Sequence, residues 1–172
     1  ASFDIECDSS HGDFPQPKKD FKKLSIDLYD SLHRTYETNT NEAATRDIYV
    51  KACVKASFDK EQNKLLKEID TGLHISHTYT TNNLRPSEDS IDEFIELFDD
   101  EDFITDFYNL KKRDHVIQKL TIELNKLTDD DGDKLEVEGD KVIQIGTVFH
   151  RYGEEQPYKR HILVIAPEDN LP

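Results

Sequence analysis

The apolar residues change their spacing along this chain, and that change limits what it can fold into. At the start, Phe3, Ile5 and Cys7 alternate with Asp4 and Glu6, the period of a β-strand. From Asp20 onward Phe21, Leu24, Leu28 and Leu32 recur at helical spacing. Near the end, Val142-Ile143-Gln144-Ile145-Gly146-Thr147-Val148-Phe149 is apolar on both faces, as a covered central strand is. Strands over residues 2–7, 141–152 and 158–166 in one sheet, with helices between, make the expected fold class α/β.

The first strand carries the chemistry. Phe3, Ile5 and Cys7 point one way, towards a core, and Asp4 and Glu6 share the other face. Two carboxylates on a stiff strand offer the hard oxygen ligands that a divalent cation favours. The plainer alternative is a half-buried strand with a polar outer face.

The loop that follows, Asp8 to Pro17, contains small polar residues, Gly and Pro. His11 lies near Asp8 and Asp13 there and reads as a solvated side chain. A first helix runs to about Thr35, and Asn39-Thr40-Asn41 breaks it. A second spans about residues 42–57, with Ala44, Ile48, Ala52 and Ala56 on one stripe. Leu65, Leu66, Ile69 and Leu73 suggest a third, stopped near Gly72. Ser90 and Glu93 form a capping-box pair, and Asp99 to Asp102 reads as a helix start. A last helix is expected from Phe103 to near Leu127, with Val116, Leu120, Leu124 and Leu127 as its stripe. Asp129-Asp130-Asp131-Gly132-Asp133 fails the calcium-loop pattern, since loop position six is Lys134 and position twelve is Asp140. It reads as an acidic turn, with calcium the lesser reading. Gly146 suggests close packing or a bulge, and residues 153–157 a hairpin turn.

The chain has 172 residues and a net charge of −15, which argues against binding nucleic acid by electrostatics alone. No run is apolar enough to span a membrane, and nothing resembles a signal peptide, so an intracellular, non-secreted protein is expected. Cys7 and Cys53 read as buried thiols in a reducing compartment. The chain has no methionine and starts inside a strand, so it reads as a piece of a longer protein.

Taken together, Phe3-Asp4-Ile5-Glu6-Cys7, Gly12-Asp13-Phe14-Pro15, Val142-Ile143-Gln144-Ile145 and Arg151-Tyr152-Gly153 resemble the start of the proofreading exonuclease domain of family B DNA polymerases. Phe3-Asp4-Ile5-Glu6 matches that family's first exonuclease motif. The stretch Cys7 to Pro15 is similar to the polymerases of giant double-stranded DNA viruses. The resemblance covers residues 1–20 and 139–172. A helical insertion, residues 21–138, stands where cellular members have a few residues. The family's second and third exonuclease motifs come after the hairpin, beyond Pro172.

The resemblance implies a ribonuclease H-like fold and phosphodiester hydrolysis by two Mg²⁺ ions. Asp4 and Glu6 are then the catalytic metal ligands: Asp4 bridges both ions, and Glu6 holds the one carrying the attacking water. Such a site takes about four carboxylates, so the chain holds half of it and is expected to be inactive alone. The implied partners are DNA, as a single-stranded primer end, and a sliding clamp or other replication protein. Two other readings stand beside this one. The chain is a stand-alone metal-dependent exonuclease, or its acidic helical insertion is a non-catalytic docking module, marked by an exposed apolar patch.

Overall fold

The computed structural model describes residues 2–8, 16, 18–36, 43–70 and 73–164. Among them are six α-helices and one three-stranded antiparallel sheet, a mixed α/β chain. They divide into two compact units, residues 1–19 with 139–172, and residues 20–138.

The first unit is the sheet. Strands β1 (Ser2–Asp8), β2 (Lys141–Phe149) and β3 (Lys159–Val164) lie in the order β1-β2-β3. β1 pairs with β2 from Ser2↔Val148 to Glu6↔Gln144, then Cys7 pairs with Val142. Ile143 is the extra residue of a bulge, which shifts the register just after Glu6 before pairing resumes at Cys7 and Asp8. The expected irregularity at Gly146 is therefore displaced. Gly146 itself sits in regular register between Asp4 and Ile162. A turn with Gly153 at φ +83° joins β2 to β3, closed by Tyr158 N–H donating to the Phe149 carbonyl at 3.0 Å.

Asp140 fixes the entry to β2. Its carboxylate accepts from the Gln16 N–H at 2.8 Å and pairs with the Lys19 ammonium at 2.5 Å. Its own N–H donates to the Gln16 carbonyl at 2.8 Å. The side chain is nearly fully buried. These bonds hold together the two points where the chain leaves and re-enters this unit.

Two expectations about the sheet need correction. Ile5 was to point into a core, yet it is 47% exposed. β2 was to be covered on both faces, yet its described side chains are partly open and Ile143 is exposed. The physical reason is the same for both. β2 has hydrogen-bonded neighbours on either edge, but among the described residues this unit has no helix to lie on a face. The side chains of Phe3 and Cys7, the loop 9–15 with His11, and residues 165–166 lie outside the described residues.

The second unit is helical: α1 (Lys22–Tyr36), α2 (Ala43–Phe58), α3 (Lys60–Ile69), α4 (Glu88–Ile95), α5 (Glu101–Phe107) and α6 (Arg113–Leu124). Its core takes Leu24, Leu28 and Leu32 from α1, Val50, Cys53 and Val54 from α2, and Val116, Leu120 and Leu124 from α6. Phe94, Phe98, Phe103 and Phe107 fill the space from the α4–α5 side. Phe98 and Phe103 meet edge to face, with centroids 5.3 Å apart, the arrangement that ring quadrupoles favour. Buried Asn63 spends its amide on the carbonyls of Ala56 and Ile75. It thereby ties α3 to the end of α2 and to the segment after Leu73. Burial lifts the Cys53 thiol pKa to about 12, so it is the buried thiol expected.

Here too the sequence misassigned several faces and ends. On α2 the expected Ala/Ile stripe is only partly inside: Ala56 is buried, but Ile48 is 70% exposed, and Val50, Cys53 and Val54 carry the inner face. Apolar residues occupy nearly the whole circumference of α2, so periodicity did not choose a side. On α3, Leu65 and Ile69 are exposed and Leu66 faces the core. The capping box at Ser90 and Glu93 is absent. Helix α4 begins earlier, and the Ser87 hydroxyl caps it by accepting from Ser90 N–H at 3.2 Å. The Ser90 hydroxyl instead accepts from Thr128 N–H at 2.9 Å. The long helix expected from Phe103 is broken after Phe107. The Asn109 side chain accepts from Lys111 N–H, stabilising a turn, and α6 then restarts and ends at Leu124. Residues 39–41 and Gly72 lie outside the described residues.

Candidate metal centre

β1 positions the two carboxylates. From Ser2 to Glu6 its pairing is regular, so Asp4 and Glu6, two residues apart, project from one face. Both are exposed. Their Cα atoms stand about 7 Å apart at strand rise, and the longer Glu side chain can lean towards the Asp. Phe149 has the opposite parity on β2 and packs against His161, centroids 5.7 Å apart. The aromatic pair is thus on the other face from the carboxylates.

What lies beside each carboxylate follows from the register. Glu6 faces Gln144 across the ladder, and Asp4 faces Gly146. A glycine there places no side chain next to Asp4, and even an added Cβ would meet nothing within 4 Å. That leaves room at Asp4 for a hydrated ion. One Asp4 oxygen accepts from the Ile5 N–H at 3.0 Å, which orients the carboxylate and leaves its other oxygen available. No lysine, arginine or histidine pairs with either carboxylate among the described residues.

The donor set fits a hard cation in kind but is small in number. Among the described residues no group of three or more His, Cys, Asp or Glu side chains comes together as a metal site. The acidic turn at Asp129 spends its carboxylate internally, accepting from Asp131 and Asp133 N–H at 3.0 and 2.8 Å. Sequence reasoning missed two features. One is the clearance that Gly146 gives Asp4, which only the register reveals. The other is the buried Asp140 clasp, whose partners lie more than a hundred residues away in sequence.

Comparison with known proteins gives two distant relatives. The chain is 27% identical over 191 aligned residues to a DNA polymerase of Pyramimonas orientalis virus, covering 99% of this chain and 15% of that protein. It is 26% identical over 200 aligned residues to a DNA polymerase of Phaeocystis pouchetii virus, covering 95% of this chain and 19% of that protein. The chain thus spans less than a fifth of either relative. Both alignments cover too much of the chain to omit the helical unit. No family model and no solved structure matches. No described helix is long and apolar enough to cross a membrane.

Proposed function

We propose that this chain is the opening part of the proofreading 3′→5′ exonuclease domain of a family B viral DNA polymerase, working on DNA inside the infected cell. The observation that carries this reading is the Asp4–Glu6 pair on one open face of a regularly paired strand, with Gly146 opposite Asp4. The similarity of the chain to two viral DNA polymerases supports it. A ribonuclease H-like arrangement, with residues 21–138 as an insertion into it, belongs to the same proposal.

Asp4 and Glu6 would hold Mg²⁺. Bound there with a second ion, it would polarise the phosphate and lower the pKa of a water nucleophile. The chain's own contribution is charge and placement. The Ile5 N–H orients the Asp4 carboxylate, the ladder holds both side chains on one face, and Gly146 leaves space for the ion's water shell. Mg²⁺ held by two carboxylates keeps most of its water and binds weakly, so activity needs further ligands from the longer protein.

The test uses that longer polymerase. Asp4→Ala with Glu6→Ala is expected to lower excision of a mismatched 3′ primer end by roughly a thousandfold or more. Nucleotide addition is expected to continue. Undiminished excision in the double variant would refute the assignment. The isolated chain is expected to show no cleavage with Mg²⁺. If it did cleave, and the double variant did not, a stand-alone exonuclease would be the better reading.

A further inference from the structure

The register that leaves space at Asp4 also fixes what stands on the far side of that space. Residues directly opposite one another in an antiparallel ladder share a face of the sheet. The rows Ser2–Val148–Arg160, Asp4–Gly146–Ile162 and Glu6–Gln144–Val164 therefore cross the carboxylate face. The two carboxylates stand on β1 at one side of it, and Arg160 stands on β3 at the other. Gly146 lies at the centre, where an added Cβ would meet nothing within 4 Å. Pairing is regular across all of these rows, so the face that Arg160 occupies follows from the ladders.

Arg160 is exposed and has no carboxylate partner among the described residues. In the nearby hairpin turn Glu154 meets Arg151. From Asp4 to Arg160 is two strand spacings and one row, about 12 Å between Cα atoms. No ion pair joins the guanidinium to Asp4 or Glu6, so all of these charges remain available to a ligand. A guanidinium suits phosphate, because its planar fork donates to two oxygens at once and stays charged at any working pH. Contacts of this kind position a strand without reading its sequence. The last nucleotide of a 3′ end is joined by one phosphodiester, and the next phosphate lies on its 5′ side. With the last phosphodiester at the carboxylates, that next phosphate is the one a cation across Gly146 can take. A charge exposed on an edge strand has a plainer use, which is to hinder pairing with other chains. Lys159 would serve that purpose equally well, but it shares the opposite face of the sheet with Phe149. The two neighbours thus separate the roles.

Resting on the exonuclease reading of Asp4 and Glu6, we propose that Arg160 is a substrate-binding residue for a single-stranded 3′ end. Its guanidinium takes the phosphate on the 5′ side of the one hydrolysed. The strand then crosses the open ground at Gly146, with its last phosphodiester at the carboxylates.

The test uses the longer polymerase and reads binding as well as excision. Fluorescence anisotropy in EDTA, with a labelled oligothymidine of about 20 nucleotides, is titrated across salt. Arg160→Gln is expected to weaken binding about tenfold, as the loss of a charge-assisted pair. It is also expected to reduce the slope of log K against log salt by about 0.7, the share of one phosphate. Arg160→Lys is expected to keep the slope and recover part of the affinity. Lys159→Gln is expected to change neither. A methylphosphonate in place of the penultimate phosphate removes the charge from the DNA instead. It is expected to cost the unaltered polymerase about tenfold and the Arg160→Gln polymerase nothing further. In excision with Mg²⁺, Arg160→Gln is expected to raise KM about tenfold with kcat changed by less than about threefold. The inference is overturned if Arg160→Gln binds as tightly as the unaltered protein, or if Lys159→Gln weakens binding as much. It is also overturned if the methylphosphonate costs Arg160→Gln the full penalty. Asp4→Ala with Glu6→Ala separates this inference from the reading beneath it. Excision that persists in that double variant removes both. Excision lost there, with binding unchanged in Arg160→Gln, removes the role of Arg160 alone.

Discussion

Phe103, Leu120 and Val50 in the helical unit are completely buried, whereas Ile162, Leu163 and Val164 on β3 are each about two-thirds exposed. The two regions are built on different terms. Residues 20–138 bring the faces of several helices onto one apolar core, and their helix starts are closed by Asp59, Ser87 and Asp100. The sheet unit has β2 hydrogen-bonded on both edges but exposes much of its apolar surface among the described residues. Burial of apolar area is the dominant favourable term in folding. The difference therefore teaches that stability is concentrated in the helices, while the candidate metal ligands sit on the more lightly supported sheet.

The strongest way to break this comparison is to cut the same side chain in both places. Leu120→Ala is expected to cost about 2–5 kcal/mol, the transfer and cavity terms together. Leu163→Ala, on exposed β3, is expected to cost about 0.5 kcal/mol or less. Urea unfolding followed by circular dichroism measures both, and equal losses would refute the contrast.

A smaller effect is expected at the clasp. Asp140→Ala strands the Gln16 N–H and the Lys19 ammonium, at a cost of about 2–3 kcal/mol for a buried charged hydrogen-bond partner. Hydrogen exchange should show β1 and β2 amides losing protection while α1 and α6 keep theirs. Loss spread evenly over the helices would mean that the clasp supports more than the sheet.

The third measurement sharpens the picture of a dry helical core. The Cys53 thiol is raised from an ordinary value of 9.0 to about 12 by burial. Below pH 9 it is neutral in both folded and unfolded chains and contributes no pH dependence. Between pH 9 and 12 the unfolded chain loses the proton and the folded chain keeps it. Stability therefore falls with rising pH, by about 1.4 kcal/mol per unit from this group. Cys53→Ala is expected to remove that increment of slope. If the two proteins had the same slope from pH 9 to 11, Cys53 would not be shielded from water.

How much of this was legible in the sequence varies by element. The start of α1, the β2–β3 hairpin and the buried stripe Val116–Leu120–Leu124–Leu127 were readable, because each has one clear period or turn signal. The inner face of α2 was not, because a helix apolar nearly all round gives periodicity nothing to select. The break between α5 and α6 was hidden because a short turn capped by Asn109 interrupts an otherwise continuous helical pattern. Ser87 was passed over as a cap because Ser90 and Glu93 have the spacing of a capping box, and only the packing of Ser90 against Thr128 decides between them.

For the candidate site, the sequence by itself determined that Asp4 and Glu6 share a face, because strand alternation is a property of the local backbone. It also supplied the resemblance from which a role for the pair was inferred. Tertiary structure alone decided what surrounds them: Gly146 opposite Asp4, the bulge at Ile143 that shifts the register after Glu6, and the Asp140 clasp. Those features depend on which residues of distant segments come into register. Local propensity carries no information about that, since a shift of one residue in pairing would put different side chains beside both carboxylates.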